Sequence, residues 1–104
     1  MQDEFRAQVE GNTIEIAINR SRMDASCVGR FKDCLQEAWK EGLERAVVDM
    51  GVVEFIDSSG VGALLGVMRR LPQGEATVVL KSMRPQVVSV IELLRLHRVF
   101  GIAA

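Results

Sequence analysis

The residues best placed to do chemistry are Asp57-Ser58-Ser59-Gly60. They set a carboxylate and two hydroxyls at the start of an apolar run with helical spacing, in which Val61, Leu64, Leu65 and Met68 recur at i, i+3, i+4 and i+7. An aspartate at that point is suited to cap the helix, its side chain accepting from backbone N–H groups of the first turn. Ser58 then opens the helix and Ser59 lies in its first turn. The same helix carries Gly60, Gly62 and Gly66. Each glycine in a helix interior costs about 1 kcal/mol against alanine, so their density requires a reason.

Three chemistries compete to supply one. Gly60-x-Gly62-x-x-x-Gly66 only loosely resembles a dinucleotide fingerprint, which follows the first strand of a longer chain. No Gly-Lys-Ser/Thr follows, so the phosphate-loop form is absent and no cofactor is expected. A serine nucleophile fits no better. The Gly-x-Ser-x-Gly elbow fails around Ser58, flanked by Ile56 and Gly60, and around Ser59, flanked by Asp57 and Val61. The only imidazole, His97, lies beyond the third helix, so no catalytic residue is assigned and the chain is expected not to be an enzyme.

The third chemistry is a docking and modification surface. Gly62 and Gly66, four apart, leave a flat strip that another protein can approach closely. A phosphate on a serine here adds about −1.5 to −2 charges at pH 7. The helix dipole and free N–H groups favour an anion, so the fold survives and the effect falls on whatever partner presents acid or phosphate there. A purely structural reading stands beside it: Asp-Ser-Ser-Gly is an ordinary helix start, and glycines permit tight helix–sheet packing. Spacing alone leaves both readings open, and it does not separate Ser58 from Ser59.

The elements that must position these residues follow from pattern. Residues 4–10 alternate loosely and residues 13–18 clearly, with Ile14, Ile16 and Ile18 on one face; Gly11-Asn12 between them predicts a hairpin turn. A first helix follows, capped by Asp24 or Ser26, with Val28, Phe31, Leu35 and Ala38 on its stripe and Gly42 as its stop. Ala46 to Val48 begins a buried strand. The glycine-bearing helix ends on Arg69-Arg70, which suit the dipole, and Pro72 closes it. A strand at 76–80, a third helix opened by Pro85 and a last short strand at 99–102 complete the chain. A hairpin followed by alternating helix and strand predicts an α/β fold: one mixed sheet with helices packed against it.

Bulk properties exclude other classes. With 104 residues one domain spans the chain, and 48% hydrophobic content supports a core. Thirteen basic against 14 acidic residues argue against a nucleic-acid binder. The longest apolar stretch, Val61 to Met68, is too short to cross a bilayer, and the acidic start is not a secretory signal, so a cytoplasmic location without membrane insertion is expected. Cys27 and Cys34 lie seven apart on one helix, about 10 Å of rise, beyond disulfide reach. Two reduced, packed thiols and no metal site are expected.

The run from Val47 through Phe55-Ile56-Asp57-Ser58-Ser59-Gly60 to Leu65 resembles the signature region of STAS domains, and more narrowly that of the phosphorylatable anti-sigma-factor antagonists. Met23-Asp24-Ala25 resembles the Leu-Asp-Ala that opens the family's first helix. Val90 to Leu94 followed by Val99-Phe100 resembles its closing helix and strand. The chain departs from the pattern at Arg95, where a glycine often ends the third helix.

This resemblance implies a single STAS-like domain over residues 1–104, with a four- to five-stranded mixed sheet and helices mainly on one side. It also implies a partner switch. The unphosphorylated domain binds an anti-sigma factor that is a serine kinase of the GHKL type; the kinase phosphorylates Ser58 and the complex separates; a PP2C-type phosphatase resets the cycle. Asp24, Asp57, Ser59, Gly60 and Gly62 are the residues expected at the contact. Non-sigma members suggest an alternative, a non-catalytic subunit of a lipid-transport ABC complex or of a stressosome or chemosensory assembly.

Overall fold

The first two strands form the expected hairpin: β1 (Phe5–Glu10) and β2 (Thr13–Ile18) run antiparallel, with Phe5 opposite Ile18 and Glu10 opposite Thr13. Gly11 holds φ +63° in the turn, a conformation that costs glycine nothing. The computed structural model describes residues 4–74 and 77–103. β2 pairs in parallel with β4 (Arg45–Asp49), β4 with β6 (Val78–Lys81), and β6 with β7 (Gly101–Ala103). The sheet order is β1-β2-β4-β6-β7, five strands and mixed. Parallel neighbours require crossovers. Those helices are α1 (Val28–Ala38), α2 (Ser58–Arg70) and α3 (Pro85–Leu93).

Strand periodicity decides where the helices lie. Ile14, Ile16, Ile18, Ala46, Val48, Val78 and Leu80 are all buried and share one face. Their alternates Thr13, Glu15, Ala17, Val47, Asp49, Val79 and Lys81 are only half-buried. One face therefore carries the core and the helices, and the other stays open. At the core's edge Phe5 meets Phe31 of α1 edge-to-face, ring centroids 5.3 Å apart.

A second, two-stranded sheet was not expected from the sequence. β3 (Arg22–Met23) pairs in parallel with β5 (Phe55–Ile56), Arg22 beside Phe55 and Met23 beside Ile56. Two residues per strand leave no periodicity to read.

Several element ends differ from expectation. Neither Asp24 nor Ser26 caps α1; Cys27 holds that position without a side-chain capping bond, because Asp24 closes a separate turn one step earlier. The helix also stops at Ala38, before Gly42. Trp39 turns extended and its ring lies under the Arg70 guanidinium at 4.1 Å, while Gly42 takes φ +86° in the turn beyond. On α2, Val61 and Leu64 are buried as expected, but Ala63 and Val67 complete that face, and Leu65 and Met68 are only partly covered. The sixth strand occupies Val78–Lys81; Ala76, expected to begin it, lies outside the described residues. The last strand starts after a 3-10 turn at Leu96–Arg98. Arg95 sits at φ +59°, the left-handed geometry for which glycine is favoured after a helix end.

Candidate functional site

Asp57 follows β5 directly and caps α2. Its extended backbone (φ −107°, ψ −174°) lets Oδ1 accept from the Gly60 N–H at 2.9 Å while its carbonyl accepts from Val61 N–H at 2.9 Å. Ser58, the first helical residue, is exposed; Ser59 is half-buried and Gly60 is buried. The N–H groups of Ser58 and Ser59 precede any intrahelical acceptor, so the helix presents partial positive charge there. Asp57→Ala should cost about 1 kcal/mol of unfolding free energy, read as a lower urea midpoint at unchanged slope.

The β3–β5 pairing positions the second carboxylate. The Asp57 N–H donates to the Met23 carbonyl at 3.3 Å, continuing the ladder by one step. Because Met23 pairs with Ile56, Asp24 and Asp57 leave adjoining parallel strands at the same edge, where neighbouring strands run about 4.8 Å apart. Residues 33 positions apart in sequence thus share one rim.

The two glycines on this turn serve different ends. A Cβ on Gly60 would lie 2.2 Å from the Met23 carbonyl oxygen, 2.8 Å from Ile56 Cγ1 and 2.9 Å from Met23 Cγ. Its missing side chain lets the first turn of α2 press onto β3 and β5. Gly60, expected at the contact, thus sits beneath the rim, a packing residue. Gly62 is exposed, and a Cβ there would meet nothing within 4 Å; the same space lies open at Gly66.

Asp24 is held by local donors. Its Oδ1 accepts from the Ser26 hydroxyl at 2.6 Å and the Ser26 N–H at 3.1 Å, while Oδ2 accepts from Arg22 Nε at 3.3 Å. These bonds, the Ser26 hydroxyl foremost, hold its carboxyl below the usual range, with Arg20 at 4.0 Å adding to the effect and partial desolvation opposing it. Glu4 bridges Arg20 at 2.7 Å and Arg30 of α1 at 2.5 Å, and the Arg30 hydrogen bond is the largest cause of its own lowered pKa. Arg20 Nε also donates to the Arg22 carbonyl. The loop bearing Asp24 is thus tied to the residue before β1, to α1 and to itself.

Two apolar residues near the rim were missed by sequence reasoning. Phe55 is 41% and Val52 47% exposed, and the Arg22 guanidinium stacks on the Phe55 ring at 4.2 Å. No alternation marks them, because buried Val53 and Ile56 are separated by two exposed residues, Glu54 and Phe55. Cys27 and Cys34 both stand as thiols, Cys27 buried with its sulfur 3.5 Å from that of Met23. Among the described residues no helix is long and apolar enough to cross a membrane.

Known structures share this architecture. An anti-sigma-factor antagonist (STAS) domain protein from Planctomyces limnophilus superposes with TM-score 0.81 at 20% identity, covering 98% of this chain and 90% of that one. SpoIIAA, an anti-sigma factor antagonist in its unphosphorylated form, superposes with TM-score 0.67 at 22% identity, covering 96% and 86%. No match was found among curated proteins. The family model of the STAS domain matches residues 5–104, and with nearly its whole length so matched the chain belongs to the STAS domain family.

Proposed function

We propose that this protein is a cytoplasmic, non-catalytic regulator of the anti-sigma-factor-antagonist kind. Its unphosphorylated form binds an anti-sigma factor that is a GHKL-type serine kinase, across the rim formed by Asp24, Asp57, Ser58, Ser59 and Gly62. Phosphorylation of Ser58 ends that contact, and a PP2C-type phosphatase restores it. The observation that carries this reading is the unequal exposure of the two serines at the start of α2. Ser58 is open to an enzyme's active site, while Ser59 is half-buried. The capped helix start supports it, because an added anion is favoured there and leaves the fold standing. The likeness to SpoIIAA, a protein with a distinct unphosphorylated form, is further support.

The direct test is phosphate transfer. Incubation with the GHKL kinases of the same genome and ATP should place one phosphate on Ser58, mapped by mass spectrometry of the digested protein. Modification of Ser59 alone, or of neither serine, would overturn the reading. Co-purification with a membrane permease and ATPase, indifferent to substitution at Ser58, would instead identify a transport-complex subunit.

A further inference from the structure

Four of the six large apolar side chains exposed among the described residues belong to the closing segment: Leu93 at 83%, Leu94 at 49%, Val99 at 37% and Ile102 at 47%. They are apart from the α2 rim in sequence and in role. α3 explains the first two. Its polar residues Gln86, Ser89 and Glu92 recur every third position as one ridge, with apolar residues on both flanks. Val87 and Ile91, on the side away from that ridge, are buried in the core. Val90 is partly buried against the core, whereas Leu93, at the end of the helix, stands open, with little among the described residues to cover it.

The backbone then reverses. Leu94 ends the helix, Arg95 takes the left-handed conformation, and the Leu96–Arg98 turn leads into β7. Leu96 is partly buried and Phe100 fully so, which anchors the reversal and holds Leu93, Leu94, Arg95 and Arg98 at the surface. Ile102 pairs with buried Leu80 and so points to the helical side of the sheet, but its place on the edge strand leaves it half open. The result is an exposed apolar tip from which Leu93 protrudes furthest.

Charge identifies what fits the tip. Arg95, His97 and Arg98 lie within it, and no side-chain hydrogen bond or ion pair engages the Arg95 or Arg98 guanidinium among the described residues. From Ser82 to Ala103 the sole acid is Glu92, in a chain whose net charge is −1. A second copy would set these arginines against each other, so self-association is disfavoured. Protruding leucines flanked by arginines suit a partner that is anionic outside and apolar within.

We propose that this face, Leu93, Leu94, Val99 and Ile102 with Arg95 and Arg98, docks peripherally on an anionic lipid bilayer. The leucines enter the headgroup–acyl boundary and the arginines meet anionic headgroups. The contact is interfacial and reversible, needing no membrane-spanning helix.

Sedimentation of the full chain with vesicles tests this. Binding is expected to equimolar phosphatidylcholine and phosphatidylglycerol, not to phosphatidylcholine alone, and should fade as salt is raised. The double variant Arg95→Gln/Arg98→Gln should bind about 30-fold more weakly, each arginine contributing about a factor of 5. Leu93→Ser/Leu94→Ser should also release the protein, with its thermal midpoint kept, because both side chains are already exposed. Wild-type protein that ignores the anionic vesicles overturns the proposal and makes an acidic protein the better occupant. Equal binding by wild type and either double variant overturns it too, because the basic residues elsewhere would then account for the attraction.

Discussion

Gly60→Ala should destabilise the protein by about 3 kcal/mol, toward the upper end of what overpacking costs. The new methyl carbon would have to occupy a point 2.2 Å from the Met23 carbonyl oxygen. A flexible side chain can rotate away from such a clash. A backbone carbonyl cannot, and this one also accepts from the Asp57 N–H. Relief therefore means shifting α2 off β3, which breaks that hydrogen bond and opens the contact of Gly60 with Ile56. A loss of this size is a large share of the roughly 5–15 kcal/mol that holds a small domain folded. Gly62→Ala is the internal control: its methyl group meets open space, and replacing a helical glycine should add about 1 kcal/mol. Urea titration of both variants reads the contrast as midpoint shifts of opposite sign. If Gly60→Ala matched wild type, the close seating of α2 on β3 would be wrong.

That contrast also marks the limit of what the sequence discloses. Gly60 and Gly62 are one residue type, two positions apart on one helix, and they signal the same thing to any spacing rule. They differ because α2 presses its first turn on β3, and β3 is a two-residue strand paired to a segment 33 residues away. No local pattern encodes such a pair. Where local chemistry suffices, the sequence is readable: Gly11 opens the hairpin, Pro85 starts α3, and Ile14, Ile16 and Ile18 point to the core. The α2 stripe was half legible. Large Leu65 and Met68 drew the periodicity toward themselves, while small Ala63 took the inner position that close packing at Gly60 demands. Asp57 was legible as a cap from its place before the apolar run. The link of Asp24 to the same rim came only through family resemblance; its structural basis is the β3–β5 register.

On the proposed switch, Ser58→Asp should weaken binding to the proposed kinase partner at least about 100-fold, while Ser58→Ala should bind as wild type does. Both variants should fold alike. Ser58 is exposed and its hydroxyl makes no hydrogen bond among the described residues, and a carboxylate in the first turn of a helix is favoured by the dipole. Asp57 beside it opposes part of that gain, so net stability should stay within about 0.5 kcal/mol of wild type. The binding penalty has another source. Asp24 and Asp57 already leave the same rim as carboxylates, and Asp24 is held ionised by Ser26 and the nearby arginines. A third negative charge at Ser58 concentrates acid where a partner must come close enough to cover the strip at Gly62. Like charges brought together at an interface cost several kcal/mol, and 100-fold corresponds to about 2.7 kcal/mol. A phosphate carries more charge than aspartate and should act more strongly. Titration of the purified kinase with each variant, alongside thermal unfolding of each, separates the two effects. Equal affinity for the alanine and aspartate variants at equal stability would mean that charge at Ser58 does not control the contact, and that the rim serves a partner indifferent to phosphorylation.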